Sequence, residues 1–236
     1  MDFCPEPGCL YVTATPIGNL GDLSPRALAI LRTVDLILCE DTRTTGRLLA
    51  SGPRAGRMIS YHDHNEISRT PQVMEMLKQG KSACLVSDAG TPLVSDPGYR
   101  IVRAARQEGI RVIPLPGPSA MIAALSVSGL PTDRFCFAGF VPRKKGARAR
   151  LWQEIRDHGA TTVVYVPARS LLRALSELAE SGDPEVCVMR EATKIHEEYI
   201  FGHASSVHED LSSRDSLKGE VTLVIGAAQL KRTEQE

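Results

Sequence analysis

The residues best equipped for chemistry in this 236-residue chain lie in polar segments that each follow a short apolar run. The stretch VSDAGTPLVSDPGYR, Val86 to Arg100, begins where the apolar run SACLV ends and offers two carboxylates, Asp88 and Asp96, with no Lys or Arg before Arg100. Phosphate groups call for cations or a crown of backbone N–H groups, whereas a loop of acids suits a cationic ligand or a hydroxyl. Asp88 therefore points to a cation or a ribose hydroxyl, with an Asx-turn or helix cap as the alternative. Asp96-Pro97 reads as a cap and first-turn pair opening a helix at GYRIVRAAR.

Four further segments carry reactive groups. TPIGNLGD, Thr15 to Asp22, sits where glycine-rich phosphate loops occur, but Gly18 and Gly21 do not fit G-x-G-x-x-G and no G-K-[ST] is present. It is either a ligand contact or a turn needing permissive residues. In CEDTRTTG, the residues Glu40, Asp41 and Arg43 offer acid/base chemistry, or else cap the next helix and pair with one another. YHDHNE places His62 and His64 on one side of an extended segment, a spacing open to a metal, yet no second ligand group at an informative spacing accompanies it. The rim of a substrate pocket is the preferred reading, with no metal. PRKKGARAR concentrates Arg143, Lys144, Lys145, Arg148 and Arg150 in nine residues, a local positive field suited to a phosphate backbone, although a solvated helix face gives the same pattern.

Elements that would position these groups follow from the alternation of β-branched runs with helical patterns. LYVTA, VDLILCE, MISYH, ACLVS and RVIPL alternate with SPRALAILRT, TGRLLAS, TPQVMEMLKQG, GYRIVRAARQEG and SAMIAALSVSG. That grammar predicts an α/β fold with parallel strands and crossover helices. Ser24-Pro25 and Thr70-Pro71 predict helix starts, and Gly80 and Gly109 predict stops. The second half is richer in strands and predicts a mixed sheet, with Trp152 packing inward beside Ile155. Gly and Pro near SGLPTDR place a boundary between residues 1–128 and 129–236. In such sheets ligands bind beyond the carboxyl ends of the strands, which is where the acidic loops fall.

Composition narrows the class. Lys plus Arg and Asp plus Glu are equal at 28 each, so net charge marks neither a nucleic-acid nor a membrane binder. No apolar run approaches the roughly 20 residues of a membrane span, and MDFCPEPGC lacks the marks of a secretory signal, so a soluble cytoplasmic protein is expected. Of six cysteines, Cys39, Cys84, Cys136 and Cys187 lie in strand-like runs and none forms C-x-x-C, which predicts reduced thiols and no zinc site. KRTEQE closes the chain as a polar tail.

Taken together, LYVTATPIGNLGDLSPRAL, EDTR, HDHNE, LVSDAGTPLVSDPGYR, VIPLPGPSA, GLPTDRFCFAGFVPRKKGAR, REATKIHEE and KGEVTLVIG resemble, in this order, a family of 16S ribosomal RNA cytidine 2′-O-methyltransferases within the tetrapyrrole methylase superfamily. The resemblance runs over about residues 10 to 226. It implies two αβα lobes with S-adenosylmethionine in the cleft between them, in a homodimer acting on the small ribosomal subunit. By position it assigns the cofactor to Pro16, Gly18, Asn19 and Leu20, to Asp88, Ala89, Gly90 and Thr91, and to Ser119 and Ala120. Arg190, Glu191 and Glu220 join them from the second half. A sulfonium cation suits loops with acids and no bases. Transfer of a methyl group to a ribose hydroxyl benefits from a general base, for which Glu40, Asp41 and His64 stand, with Arg43 orienting a phosphate or the nucleobase. The basic run would track RNA.

One segment departs from the family pattern. Where relatives carry an aromatic, Glu, small or Pro, His and Arg run, this chain has Tyr165, Val166, Pro167, Ala168, Arg169 and Ser170. Many relatives also continue into a small helical C-terminal segment, whereas this chain stops soon after LVIGAAQ. A small-molecule methyltransferase of the tetrapyrrole type and a non-catalytic RNA- or cofactor-binding module are the competing functions. The basic run favours RNA, because a porphyrin precursor needs no phosphate-tracking surface.

Overall fold

Apolar tetrads build the first sheet. β1 (Leu10–Thr13), β2 (Leu36–Cys39), β3 (Arg57–Ser60), β4 (Ala83–Val86) and β5 (Val112–Leu115) pair in the order β3-β2-β4-β1-β5, every pair parallel. β2 and β4 are buried along their whole length, as expected of inner strands covered on both faces. The computed structural model describes residues 4–50, 52, 56–214 and 216–227; the polar tail lies outside them.

Alternate residues of these strands face opposite helix layers. Tyr11, Ile37, Cys39, Cys84 and Val86 pack under α1 (Pro25–Thr33) and α2 (Thr42–Leu48). Leu10, Leu36, Leu38, Ala83 and Leu85 pack under α3 (Glu66–Lys78) and α4 (Tyr99–Gln107). This is an αβα unit in which the connection leaving β1 and the connection leaving β4 depart to opposite faces, the arrangement that opens a crevice beyond the strand ends.

Helix starts separate the local expectations. Ser24 caps α1, its hydroxyl accepting from the Ala27 N–H at 3.1 Å with Pro25 in the first turn, as expected. Thr70-Pro71 is instead inside α3, which begins a turn earlier at Glu66. The Asn65 turn starts that helix, and the Thr70 hydroxyl donates back to the Glu66 carbonyl at 2.7 Å. Asp96-Pro97 does not cap α4 either. The chain before α4 passes through positive φ at Leu93 (72°), Ser95 (65°) and Gly98 (133°), and the helix begins only at Tyr99 with no side-chain cap. A Cβ on Gly98 would stand 2.6 Å from Leu85 Cδ2. Gly98→Ala is therefore expected to cost about 2 kcal/mol, from strained backbone and overpacking together, read as a lower denaturation midpoint at unchanged m-value.

The second unit is mixed, as the strand-rich second half predicts. β6 (Phe135–Phe140), β7 (Thr161–Pro167), β8 (Glu185–Arg190), β9 (Glu198–His203) and β10 (Glu220–Ile225) run in the order β6-β7-β10-β8-β9. β6 and β7 are parallel; the other pairs are antiparallel. One face carries α6 (Lys145–His158), α7 (Ala168–Glu180) and α8 (Ala204–Ser212), with Trp152 and Ile155 buried among them. The other face is covered by α5 (Ala120–Val127), whose Ala124 and Leu125 meet Val163, Cys187, Met189 and Val224. Through that contact α5 belongs with this sheet, and the chain divides between Ser119 and Ala120, upstream of the glycine-proline punctuation.

Candidate functional site

All five strands of the first unit point the same way, so the loops after β1, β2, β3, β4 and β5 share one edge. Three of them are laced together. Thr15 and Gly90 exchange backbone hydrogen bonds at 2.9 and 3.0 Å, and the Thr15 hydroxyl donates to the Ser87 carbonyl at 3.1 Å. The Thr91 hydroxyl donates to the Pro118 carbonyl at 3.0 Å. Pro16, Gly18, Asn19 and Leu20 thus follow a strand tied to the loop carrying Asp88, Ala89, Gly90 and Thr91, which is tied in turn to the segment ending at Ser119 and Ala120. Gly90 sits at φ 82°, and a Cβ on Gly117 would meet Ala14 Cβ at 3.1 Å, so small residues keep these walls close. Asn19 turns the first loop into a short 3₁₀ turn at Leu20–Asp22 by accepting from the Gly21 N–H at 2.9 Å.

Acids gather on this edge. Asp88 accepts from the Asp41 N–H at 3.1 Å, joining the β4 loop to the β2 loop. Asp41 caps α2 by accepting from the Arg43 N–H at 2.8 Å, and its carboxylate also takes the Arg43 guanidinium at 2.6 Å. The Arg43 side chain and N–H hold Asp41 down to about 2, which makes it a poor proton acceptor at neutral pH. Asp41 and Arg43 make the cap and the ion pair of the plainer reading open for them. Glu40 is different: partial desolvation, then the charges of Asp88 and Asp63, raise its pKa. His64 is exposed and meets His62 edge to face at 5.8 Å between centroids. His62 closes its turn through Asn65, whose amide lies 3.1 Å from Nε2.

Asp96 is the group that sequence reasoning missed. Released from a capping role by the left-handed turns before it, it lies half-buried, and desolvation followed by the charge of Glu40 pushes its pKa up to about 6. A pair of neighbouring carboxylates with raised values is the arrangement that supplies a base near neutral pH. The one available signal was the acid content of the stretch itself; the dipeptide Asp-Pro masked it.

In the second unit, Arg190, Glu191 and Glu220 are brought together at the ends of β8 and β10. Glu191 accepts from the Glu220 N–H at 2.8 Å and from Lys194 at 3.0 Å, while Lys194 also reaches Glu220 at 2.9 Å. Arg190 donates to Glu198 at 2.9 Å and to the Lys218 carbonyl at 3.2 Å. The Glu220 N–H, then Lys194, lower the Glu191 pKa. Glu191 itself is at φ 51° and a Cβ on Gly219 would fall on its carboxylate, so this is a tightly built corner. Lys194 was not foreseen.

The basic run divides. Arg143, Lys144, Lys145 and Arg150 are exposed, but Arg148 is buried and binds Glu177 through Nε at 2.9 Å and Nη2 at 2.6 Å. Arg148 is thus removed from the RNA-facing set, because helical spacing turns it inward onto a carboxylate of α7. All six cysteines are free thiols. Among the described residues no group of three His, Cys, Asp or Glu side chains is placed to hold a metal ion, and no helix is long and apolar enough to cross a membrane.

Residues 9–207 match the family of Tetrapyrrole (Corrin/Porphyrin) Methylases. The chain is 46% identical over 225 residues to a protein named ribosomal RNA small subunit methyltransferase I from Xylella fastidiosa, covering 94% of this chain and 82% of that protein. A protein of the same name from Escherichia coli O157:H7 is 44% identical over 224 residues, covering 92% and 77%. Among solved structures, a diphthine synthase superposes with a TM-score of 0.68 at 17% identity, covering 92% of this chain and 89% of the other. A cobalt precorrin-4 methyltransferase superposes at 0.67 and 15% identity, covering 93% and 95%. These structures are alike in fold.

Proposed function

This chain belongs to the tetrapyrrole (corrin/porphyrin) methylases, and from that premise we propose that it is an S-adenosylmethionine-dependent methyltransferase acting on the 2′-oxygen of a cytidine ribose in small-subunit ribosomal RNA. What carries the reading is identity of 46% across 94% of the chain to a protein named for ribosomal RNA methylation. The same reading takes the protein to be a cytoplasmic homodimer whose substrate is 16S ribosomal RNA within the small subunit.

The strand-end edge suits the cofactor on its own chemistry. Glu40, Asp63, Asp88 and Asp96 form no ion pair with Lys or Arg among the described residues, and they create a field that favours a cation. Pro16, Gly18 to Leu20, Asp88 to Thr91 and Ser119 would hold S-adenosylmethionine against the walls kept close by Gly90 and Gly117. When bound, that group supplies an electrophilic methyl on a cationic sulfur. The chain's own task is to orient the ribose and take up its hydroxyl proton. We assign the proton to Asp96, with Glu40 as the neighbour that keeps Asp96 basic, and leave His64 on the rim.

Two measurements test this. Tritiated methyl groups should pass from S-adenosylmethionine to purified 30S subunits and not to a porphyrin precursor; the reverse preference would sink the reading. Glu40→Gln should retain activity within about tenfold, the scale of a modest acid/base contribution. Its acidic limb in kcat should move to lower pH, because removing the Glu40 charge eases ionisation of Asp96. A limb that stays in place would detach Glu40 from the base.

A further inference from the structure

β6 and β7 are the one parallel pair of the second sheet, and each is followed at its carboxyl end by a helix. The segment leaving β6 runs beside the end of β7, which passes directly into α7, the Val141 N–H donating to the Tyr165 carbonyl at 2.9 Å. Between them opens a pocket of about 260 Å³ whose polar lining is Arg143, Arg148, Arg169, Ser170 and Arg173, with no carboxylate in the wall.

Charge accounting within that wall leaves a surplus. Arg148 is neutralised by Glu177 and also donates to the Arg143 carbonyl at 2.6 Å, so it forms a fixed floor. Arg143, Arg169 and Arg173 are exposed, and none makes a side-chain hydrogen bond or ion pair among the described residues beyond the influence of Arg173 on Glu177. Both flanking helices compound the imbalance. α6 and α7 start without a side-chain cap and without an acid in the first turn, so cations stand at the positive ends of two helix dipoles. An arrangement that is unfavourable when empty becomes favourable around an anion, which takes guanidinium forks and open N–H groups together.

We propose that this pocket is a subsite for a backbone phosphate of the RNA substrate, with Arg169 and Arg173 as its ligands beside Arg143. The proposal deepens the assignment of an RNA substrate above and rests on it. RNA is favoured over a free anion by two neighbours. Lys144 and Lys145 extend the positive surface from Arg143 to the start of α6, and Phe140, which directly precedes the pocket wall, is 60% exposed and packs edge to face on Tyr165 at 5.3 Å. An exposed ring beside a phosphate site is a platform for an unstacked base. Of the segment Tyr165 to Ser170, Pro167, Arg169 and Ser170 line the pocket.

The test is equilibrium binding of a small-subunit RNA fragment to the whole protein, by fluorescence anisotropy across a salt series, for wild type and the double variant Arg169→Ala/Arg173→Ala. Loss of one phosphate contact should reduce the slope of log K against log salt by about 0.7 to 0.9 and weaken binding about tenfold near 0.1 M salt. Arg169→Lys should fall between, keeping charge without the fork. Affinity for S-adenosylmethionine and the melting temperature should stay at wild-type values, since both side chains are exposed. Salt lines that coincide with wild type would overturn the subsite. So would loss of RNA binding that inorganic phosphate, at matched ionic strength, fails to reproduce in the wild type. Because binding is read without turnover, an altered slope in a protein that transfers no methyl group would uphold the pocket and fell only the catalytic reading.

Discussion

Asparagine in place of Asp96 is expected to lower kcat for methyl transfer by about 100-fold or more, the scale on which a positioned general base acts, while making the folded protein more stable at pH 8. The two effects have one origin. Burial and the charge of Glu40 raise the Asp96 carboxyl from 3.8 to about 6 in the folded chain. A raised carboxyl is bound to its proton more tightly in the folded state than in the unfolded one. Its favourable contribution is therefore complete below pH 3.8 and is lost as pH rises through about 6. Asparagine removes the titration, so the variant should match wild type near pH 4 and exceed it above pH 6 by about 1 to 2 kcal/mol, allowing for the partial exposure of the group. Wild-type kcat should fall with acidification through an apparent value near 6. Thermal melts and a pH–rate profile on the same two proteins check both halves. A variant that is inactive and less stable at pH 8 would mark Asp96 as structural; one that is fully active would remove it from the chemistry.

Glu177→Ala is expected to destabilise the protein by about 3 kcal/mol, because it leaves a buried guanidinium without its partner. Glu177 also accepts from the Trp152 indole N–H at 2.8 Å, so a second buried donor is orphaned. The Arg148 guanidinium, followed by the Trp152 N–H against an opposing burial effect, holds the Glu177 carboxyl below its usual 4.5. A lowered carboxyl stabilises above its unfolded value and ceases to do so as pH falls through its folded one. The deficit of the variant should therefore be full at neutral pH and shrink below about pH 4. Urea denaturation at both values reads it. Equal deficits across that range would show that packing, and not the ion pair, was removed.

How much of this was legible in the sequence depended on the distance over which each feature is decided. The apolar runs of β1, β2 and β4 are set by neighbouring residues, and their alternation with helical patterns returned the parallel strands and the crossover helices. The cap at Ser24 was local in the same sense. Thr70-Pro71 and Asp96-Pro97 carried the same local signature and failed, because the starts of α3 and α4 are set by the Asn65 turn and by left-handed backbone at Leu93, Ser95 and Gly98. Arg148 stands one turn before Trp152 on the inward face of α6, but the carboxylate that admits a cation there lies 29 residues away on another helix. The acidic loops were visible as loops, and their convergence followed from the all-parallel sheet. Which acid is basic was decided by burial and by charges that distant segments bring near one another, as Glu40 acts on Asp96, and no local pattern encodes that. The union of Arg143 with Arg169 and Arg173 likewise needed the parallel pairing of β6 with β7.

Ribose methylation is tested most directly by nucleotide-resolution mapping on 30S subunits incubated with the purified protein and S-adenosylmethionine, read as resistance of one phosphodiester to alkaline cleavage. A new 2′-O-methyl mark is expected at a cytidine of the small-subunit RNA, present with wild type and lost with Asp96→Asn. Subunits that take up no such mark, or that acquire it on a base carbon or nitrogen while the ribose stays open to cleavage, would contradict that expectation.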